Sequence, residues 1–224
     1  MTATTSPSTA MVDMRAQLKA NLEAMRDRVD TSSTGGRIST AGKIFTIPGG
    51  ATSSGPLSLV ILDWRIAHAY YTGIYDPAKP KAPDCWAMSS TLNCAPDPAK
   101  VRTPKHSDCQ SCPFNEWGSR GKGKACKETR RLAVAPLDAK PGDTPFLLEV
   151  SPTGIKSFEG LITTLQSKGV TPMEAVTEVA FRSDATYPTL VFSPAALLTD
   201  EQLAVMFEIN SRSAKILDRD LNYD

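Results

Sequence analysis

Cys109-Gln-Ser-Cys112-Pro-Phe-Asn-Glu-Trp117-Gly-Ser-Arg120-Gly-Lys122-Gly-Lys124-Ala-Cys126-Lys127-Glu-Thr-Arg130-Arg131 is the stretch on which the reading of the fold turns. It is too rich in Gly, Pro and polar residues to fold by burying side chains, yet strand-like runs lie before and after it. It therefore reads as an insertion that needs a staple. Cys109-Gln-Ser-Cys112 is a Cys-x2-Cys knuckle, which lets two thiolates chelate one tetrahedral ion with little backbone strain. Cys126, after 13 intervening residues, supplies a third thiolate, and Cys85, 23 residues before Cys109, a fourth. Cys94 and His106 are alternatives for the fourth place, and reduced cysteines buried without metal are the competing reading. Four thiolates close the coordination shell, so the ion expected is a structural zinc. A zinc deaminase would carry His-x-Glu followed by Pro-Cys-x-x-Cys. Neither His68 nor His106 has Glu two residues on, and Pro113 follows the knuckle instead of preceding it.

Beside the expected metal loop stand Arg120, Lys122, Lys124, Lys127, Arg130 and Arg131, spaced by Gly121 and Gly123. Glycines let a backbone approach a phosphate chain, and lysines neutralise it with strong salt dependence. Trp86, Phe114 and Trp117 are in the same region, and Tyr70, Tyr71 and Tyr75 come shortly before it. Unpaired bases stack on such faces at about 1–3 kcal/mol each, whatever the sequence. Charge beside aromatic platforms predicts a single-strand contact. Against that stand aromatics that merely cover the thiolates and lysines on a solvated loop.

The net charge of +1 hides a polarised chain: residues 79–131 carry 11 Lys/Arg against 5 Asp/Glu, whereas residues 132–224 carry 7 against 13. A basic middle suggests an anionic ligand, and an acidic C-terminal part suggests a cationic partner or self-shielding. With 41% hydrophobic and 22% charged residues, the composition is that of a globular protein with an ordinary core. The longest apolar run, near Leu57-Ser-Leu-Val-Ile-Leu62, is far short of the roughly 20 residues a bilayer needs. The N-terminus lacks a signal-peptide pattern, so a reducing cytoplasm is expected, where clustered cysteines bind metal more often than they form disulfides.

Met14, Leu18, Leu22, Met25 and Val29 recur at helical spacing; this amphipathic helix would dock on the domain or serve self-association. Strands are predicted at Lys43–Ile47, Leu57–Leu62, His68–Tyr75, Arg131–Ala135, Pro145–Val150, Ala175–Phe181 and Tyr187–Phe192. Ser183-Asp184 would turn the last pair. Ile155, Phe158, Leu161, Ile162 and Leu165 line a helix that Gly169 ends, Thr171-Pro172 opens a helical turn, and Thr199-Asp-Glu-Gln202 is a capping box for a last helix with Leu203, Met206, Phe207 and Leu217. Asp218 and Asp220 are expected in a solvated tail. The predicted fold class is mainly β with peripheral helices, an OB-fold-like Greek-key barrel. Its segments are 1–36 (disordered start, helix, linker), 37–195 (the barrel, with the insertion at 79–131) and 196–224 (C-terminal helix and mildly acidic tail). No nucleotide-binding glycine loop or nucleophile elbow is present, so a non-enzymatic binder is expected.

Several stretches resemble the zinc-containing single-stranded DNA-binding proteins of tailed bacteriophages: Leu59-Val-Ile-Leu-Asp63 with Tyr70-Tyr71 and Tyr75, Pro83-Asp-Cys85, Cys109-Gln-Ser-Cys112-Pro-Phe-Asn-Glu-Trp-Gly-Ser119, Gly-Lys-Gly-Lys-Ala-Cys126-Lys, Arg130-Arg-Leu, Val176-Thr-Glu-Val and Tyr187-Pro-Thr-Leu-Val-Phe192. The resemblance spans about residues 37–195. It implies an OB-fold core, a structural zinc, and coating of single strands during phage DNA replication or recombination inside the host cell. It also implies recruitment of replication proteins through an acidic tail, from which the short, mildly acidic Leu217–Asp224 departs. The alternative role is that of a transcription cofactor that binds single-stranded DNA and recruits RNA polymerase.

Overall fold

The computed structural model describes Gln17, residues 36–73 and residues 81–221. The chain divides into residues 1–34 and residues 35–224, and the sheet and its helices belong to the second unit. The expected helix at 12–29 (Gln17, helical and exposed, excepted), the linker before Gly36, Tyr75, most of the proline-rich arm and the last three residues lie outside the described residues.

The organising element is one long strand. Two short pieces precede it: β1 (Arg37–Ile38), then β2 (Phe45–Thr46) hairpinned with β3 (Thr52–Ser53) over Pro48-Gly49-Gly50. Next comes β4 (Leu57–Tyr70), 14 residues long, so the expected separate strand at His68–Tyr75 is its continuation up to Tyr70. No turn signal separates Leu62 from His68, and β-branched and aromatic side chains carry the strand through. After it come β5 (Cys85–Ser89), β6 (Cys126–Pro136), β7 (Phe146–Val150), α1 (Ile155–Gln166), β8 (Ala175–Phe181), β9 (Leu190–Leu197), α2 (Asp200–Asn210) and α3 (Ser213–Leu217).

These strands form a curled, half-barrel sheet of order β1-β7-β6-β4-β8-β9, with β5 also on β4. All pairings in it are antiparallel except β1 with β7. Along one side of β4 runs the whole of β6 (Leu59↔Pro136 to Tyr70↔Cys126). On its other side β8 pairs with Leu57–Val60 and β5 with Ile66–Tyr70. A bulge between Ile61 and Asp63 strengthens the local twist and bends the strand. One strand thus serves two structures, the half-barrel (the barrel end) at its start and the cysteine-bearing connection at its end.

The barrel end is apolar on both faces. Leu59, Ile61, Leu132, Val134, Leu148 and Val150 pack with Phe158, Leu161 and Leu165 of α1. Val60, Leu62, Ala133, Ala135 and Leu147 pack with Met206, Ile209, Ile216 and Leu217. Each large side chain so buried contributes about 1.5–3 kcal/mol. Gly154 enters α1 so tightly that a Cβ there would sit 2.9 Å from Val150 Cγ1 and 3.2 Å from Leu190 O. The predicted capping box of Thr199 with Gln202 is present, and the turn opened by Thr171-Pro172 proves to have one as well, Thr171 with Glu174. Leu217 belongs to α3, and Phe207 is 70% exposed, so neither joins the buried face of α2. The residues expected as a solvated tail are ion-paired: Asp218 to Arg65 at 2.8 Å and Asp220 to Lys100 at 2.7 Å. Among the described residues no helix is long and apolar enough to cross a membrane.

Candidate metal centre and basic flap

All five cysteines are free thiols and buried. Strand register explains how they meet: Tyr70 of β4 faces Cys85 of β5 on one side and Cys126 of β6 on the other. The loop between those strands brings back the knuckle. Its geometry is held by the Cys109 N–H donating to Cys94 O (2.8 Å), Asn115 Nδ2 to Cys109 O (2.7 Å) and Asn115 N–H to Cys112 O (2.8 Å). The result is a cavity of about 20 Å3 whose lining includes His68, Cys85, Cys109, Cys112 and Cys126, with Tyr70, Trp86, His106 and Phe114. That is room for one water or small ion, not for a substrate.

The four thiols predicted as ligands therefore line one cavity. Within the cluster the tightest group is a different one: the ligand atoms of His68, Cys94 and Cys109 lie within 4.8 Å of one another. This buried trio could hold a metal ion, and Cys109 belongs to both sets. His68 is 5% exposed, its Nδ1 has no hydrogen-bond partner, and burial depresses its pKa, which keeps the ring neutral as a ligand requires. Burial pushes the Cys126 thiol up to about 12 and raises Cys85 as well. Cys109 donates to Cys94, which raises the first and lowers the second. Buried, crowded thiols of this kind lose their protons to a cation, and only then become good ligands. His68 was legible only through pairing: alternation along β4 puts it on the face of Tyr70, two residues away, and the register sets it beside Glu128.

The flap 113–125 leaves this cluster at Cys112 and returns at Cys126. Gly118 (φ 91°) and Gly121 (φ 59°) have positive φ, and the Arg120–Gly123 bridge closes the loop tip. Ser119 fastens it internally, donating to Glu116 O and accepting from the Ala125 N–H. Trp117 is 78% exposed at its surface. Arg120 is exposed and bonds the carbonyls of Tyr71 and Gly73. Lys122 and Lys127 are exposed, with no ion-pair partner among the described residues. Lys124 is half-buried, bonded to Asn115 Oδ1 at 3.1 Å and 3.7 Å from Glu128.

Other residues expected to touch DNA are placed differently. Trp86 (6% exposed) packs with Cys85 and Val101 beneath Lys100, whose Nζ lies 5.7 Å from the ring centroid. Arg130 and Arg131 (3% and 4% exposed) belong to β6, not to the flap. Arg130 is bound to Glu128 at 2.8 Å and Glu159 at 2.7 Å, and Arg131 bonds Ile216 O at 3.4 Å. These three are corrected from surface contacts to interior supports: β6 begins five residues before its apolar run and takes in both arginines, and Trp86 lies on β5 with its ring packed inward. Tyr70 and Phe114 are half-buried against each other, centroids 4.5 Å apart, and Tyr71 is half-buried.

Compared with protein-family models, curated proteins and solved structures, the chain matches none. The site's chemistry is read from its own residues.

Proposed function

We propose that this chain is a non-catalytic single-stranded DNA-binding protein, in which one structural zinc ion on Cys85, Cys109, Cys112 and Cys126 makes the flap rigid enough to hold the strand. The carrying observation is the flap itself. It is fastened at both ends by buried cysteines and presents an indole 78% exposed together with outward Arg120 and Lys122, with exposed Lys127 just beyond Cys126. An exposed indole next to cations has no folding advantage but suits a base and its phosphate. The contact set is Trp117, Arg120, Lys122 and Lys127, with Tyr71 and Lys124 at its edge. Trp86, Arg130 and Arg131 support it from within.

The zinc assignment rests on donor chemistry. The four thiols line one ion-sized cavity, and four sulfurs suit a closed tetrahedral site. His68 and Cys94 would then steady Cys109 from the outer shell. The OB-type reading is supported by connectivity. Strands β4, β6, β7, β8 and β9, with α1 between β7 and β8, follow the five-stranded Greek-key course, and the flap belongs to the connection between the first two. In that fold this connection flanks the oligonucleotide face.

The test is anisotropy of labelled oligo(dT) against duplex of equal length, with zinc measured in the same sample. One zinc per chain, preference for the single strand and a negative salt slope are expected. Lys122→Ala with Lys124→Ala should flatten that slope by about 0.7 for each phosphate no longer neutralised. Metal-free protein that ignores oligo(dT) at low ionic strength would overturn the proposal.

A further inference from the structure

A second cleft lies on the same face of β4 and β6, between α1 and the turn that follows β5. Its volume is about 320 Å3, and its lining includes Trp64, Ile66, Leu92, Arg130, Phe158 and Ile162. The hydroxyl-bearing Ser90, Thr91 and Thr163 and the Glu159 carboxylate also line it. Along β4 the sheet face passes from barrel core (Leu59, Ile61) to this cleft (Trp64, Ile66) and on to the metal cavity (His68, Tyr70). Trp64 is half-buried, its edge held against Phe158 at 5.7 Å and 77°. One wall is set by the cysteine cluster, since Gln110 Nε2 donates to Leu92 O at 3.2 Å and the Cys109 N–H to Cys94 O.

We infer that this cleft takes one nucleobase of the bound strand, an inference that rests on the single-strand reading above. The size is at the lower bound of small-molecule sites, roughly 300 Å3, enough for a base with its sugar and too small for a helix. The charge pattern narrows the ligand further. Arg130, the cation at the floor, has a side chain 4% exposed and is neutralised by Glu128 and Glu159, so the cleft offers a phosphate nothing. It offers a neutral flat ring an apolar, indole-bearing floor and a polar rim for the ring's edge. Trp64 and Tyr70 are six residues apart on one strand, about 20 Å at the rise of an extended chain. A strand held by the flap therefore has a few nucleotides of reach to the cleft.

The experiment is photocrosslinking of the full chain to oligo(dT) carrying 5-iodouracil, with adducts mapped by peptide mass spectrometry. Adducts are expected on Trp64 as well as on Trp117. Thr163→Arg, an exposed change that fills the cleft mouth, should remove the Trp64 adduct, leave the Trp117 adduct and weaken binding about tenfold, the loss of one stacked base. Leu92→Asp, on the opposite wall, should do the same, and an unchanged melting temperature confirms that both variants fold. Adducts on Trp117 with none on Trp64, and both variants binding like the wild type, would overturn the inference and leave the cleft to a partner's side chain, with the flap reading intact. No binding and no adduct anywhere would overturn both.

Discussion

The barrel end and the cysteine end of β4 are built from one strand by opposite means. At the barrel end nine large side chains from β4, β6, β7 and α1 are buried in a single apolar cluster, and a second cluster covers the other face. At the cysteine end the buried clusters hold only Cys85, Trp86 and Val101, and Ala87, Cys94 and Cys109. The first can offset its conformational entropy with hydrophobic burial; the second cannot, and must draw on coordination or on packing against the barrel. The difference teaches that the flap hangs from the end that lacks a core, so the proposed binding surface and the main source of stability lie at opposite ends of β4.

The largest expected effect comes from the proposed zinc. Chelation, or Cys112→Ser, should remove a contribution on the order of 10 kcal/mol and open residues 81–125 to protease, while the barrel keeps its far-ultraviolet dichroism and its melting transition. If the whole domain melts as one on chelation, the two ends are not separable. Next, Phe158→Ala, in contact with both Trp64 and Phe192, should cost about 3–5 kcal/mol in denaturant unfolding. Zinc content per folded chain should be unchanged. A variant that loses its metal in proportion to its stability would tie the ends together.

Trp117→Ala should leave the melting temperature where it is and weaken oligo(dT) by about 1–3 kcal/mol, because the indole has almost nothing to pack on. A fall in stability would make it a structural residue. The smallest effect concerns Asp84, at the entry to β5. Asp84 receives Lys81 Nζ at 2.6 Å and the Thr72 N–H at 2.7 Å, and these hold its carboxyl at about 2, against 3.8 ordinarily. A depressed folded-state pKa stabilises above the unfolded value and is lost as pH falls through the folded one. The stability gap between wild type and Asp84→Asn should therefore be level above about pH 4 and shrink towards pH 2. A gap that widens on acidification would contradict the assignment.

The residues themselves carried much of the fold. Period-two runs, the Gly169 stop, the Thr171-Pro172 turn and one capping box put β7, α1, β8 and α2 close to their observed bounds, since these depend on neighbours in sequence. The errors came where a strand continued through weak local signals. His68–Tyr70 looked like a new strand because polar Asp63 and Arg65 interrupt the run, yet ladder bonds to β5 and β6 carry it on. Arg130 and Arg131 looked like flap residues because charge argues for surface. Glu128 and Glu159 satisfy Arg130 inside, and no local rule names a partner 29 residues away.

What the sequence determined by itself was chemistry and inventory: a knuckle with further cysteines around it, a glycine-spaced basic loop with its indole, and an apolar pattern sufficient for one β core. Those follow from residue type and spacing. Only the tertiary structure decided that His68 joins the cysteine cluster and that Cys94, until then one of two alternatives, sits against Cys109, that Trp86 faces inward while Trp117 faces out, and that a cleft opens beside Trp64. Each depends on which strands pair and in what register, and register is set by long-range burial that short-range spacing does not encode.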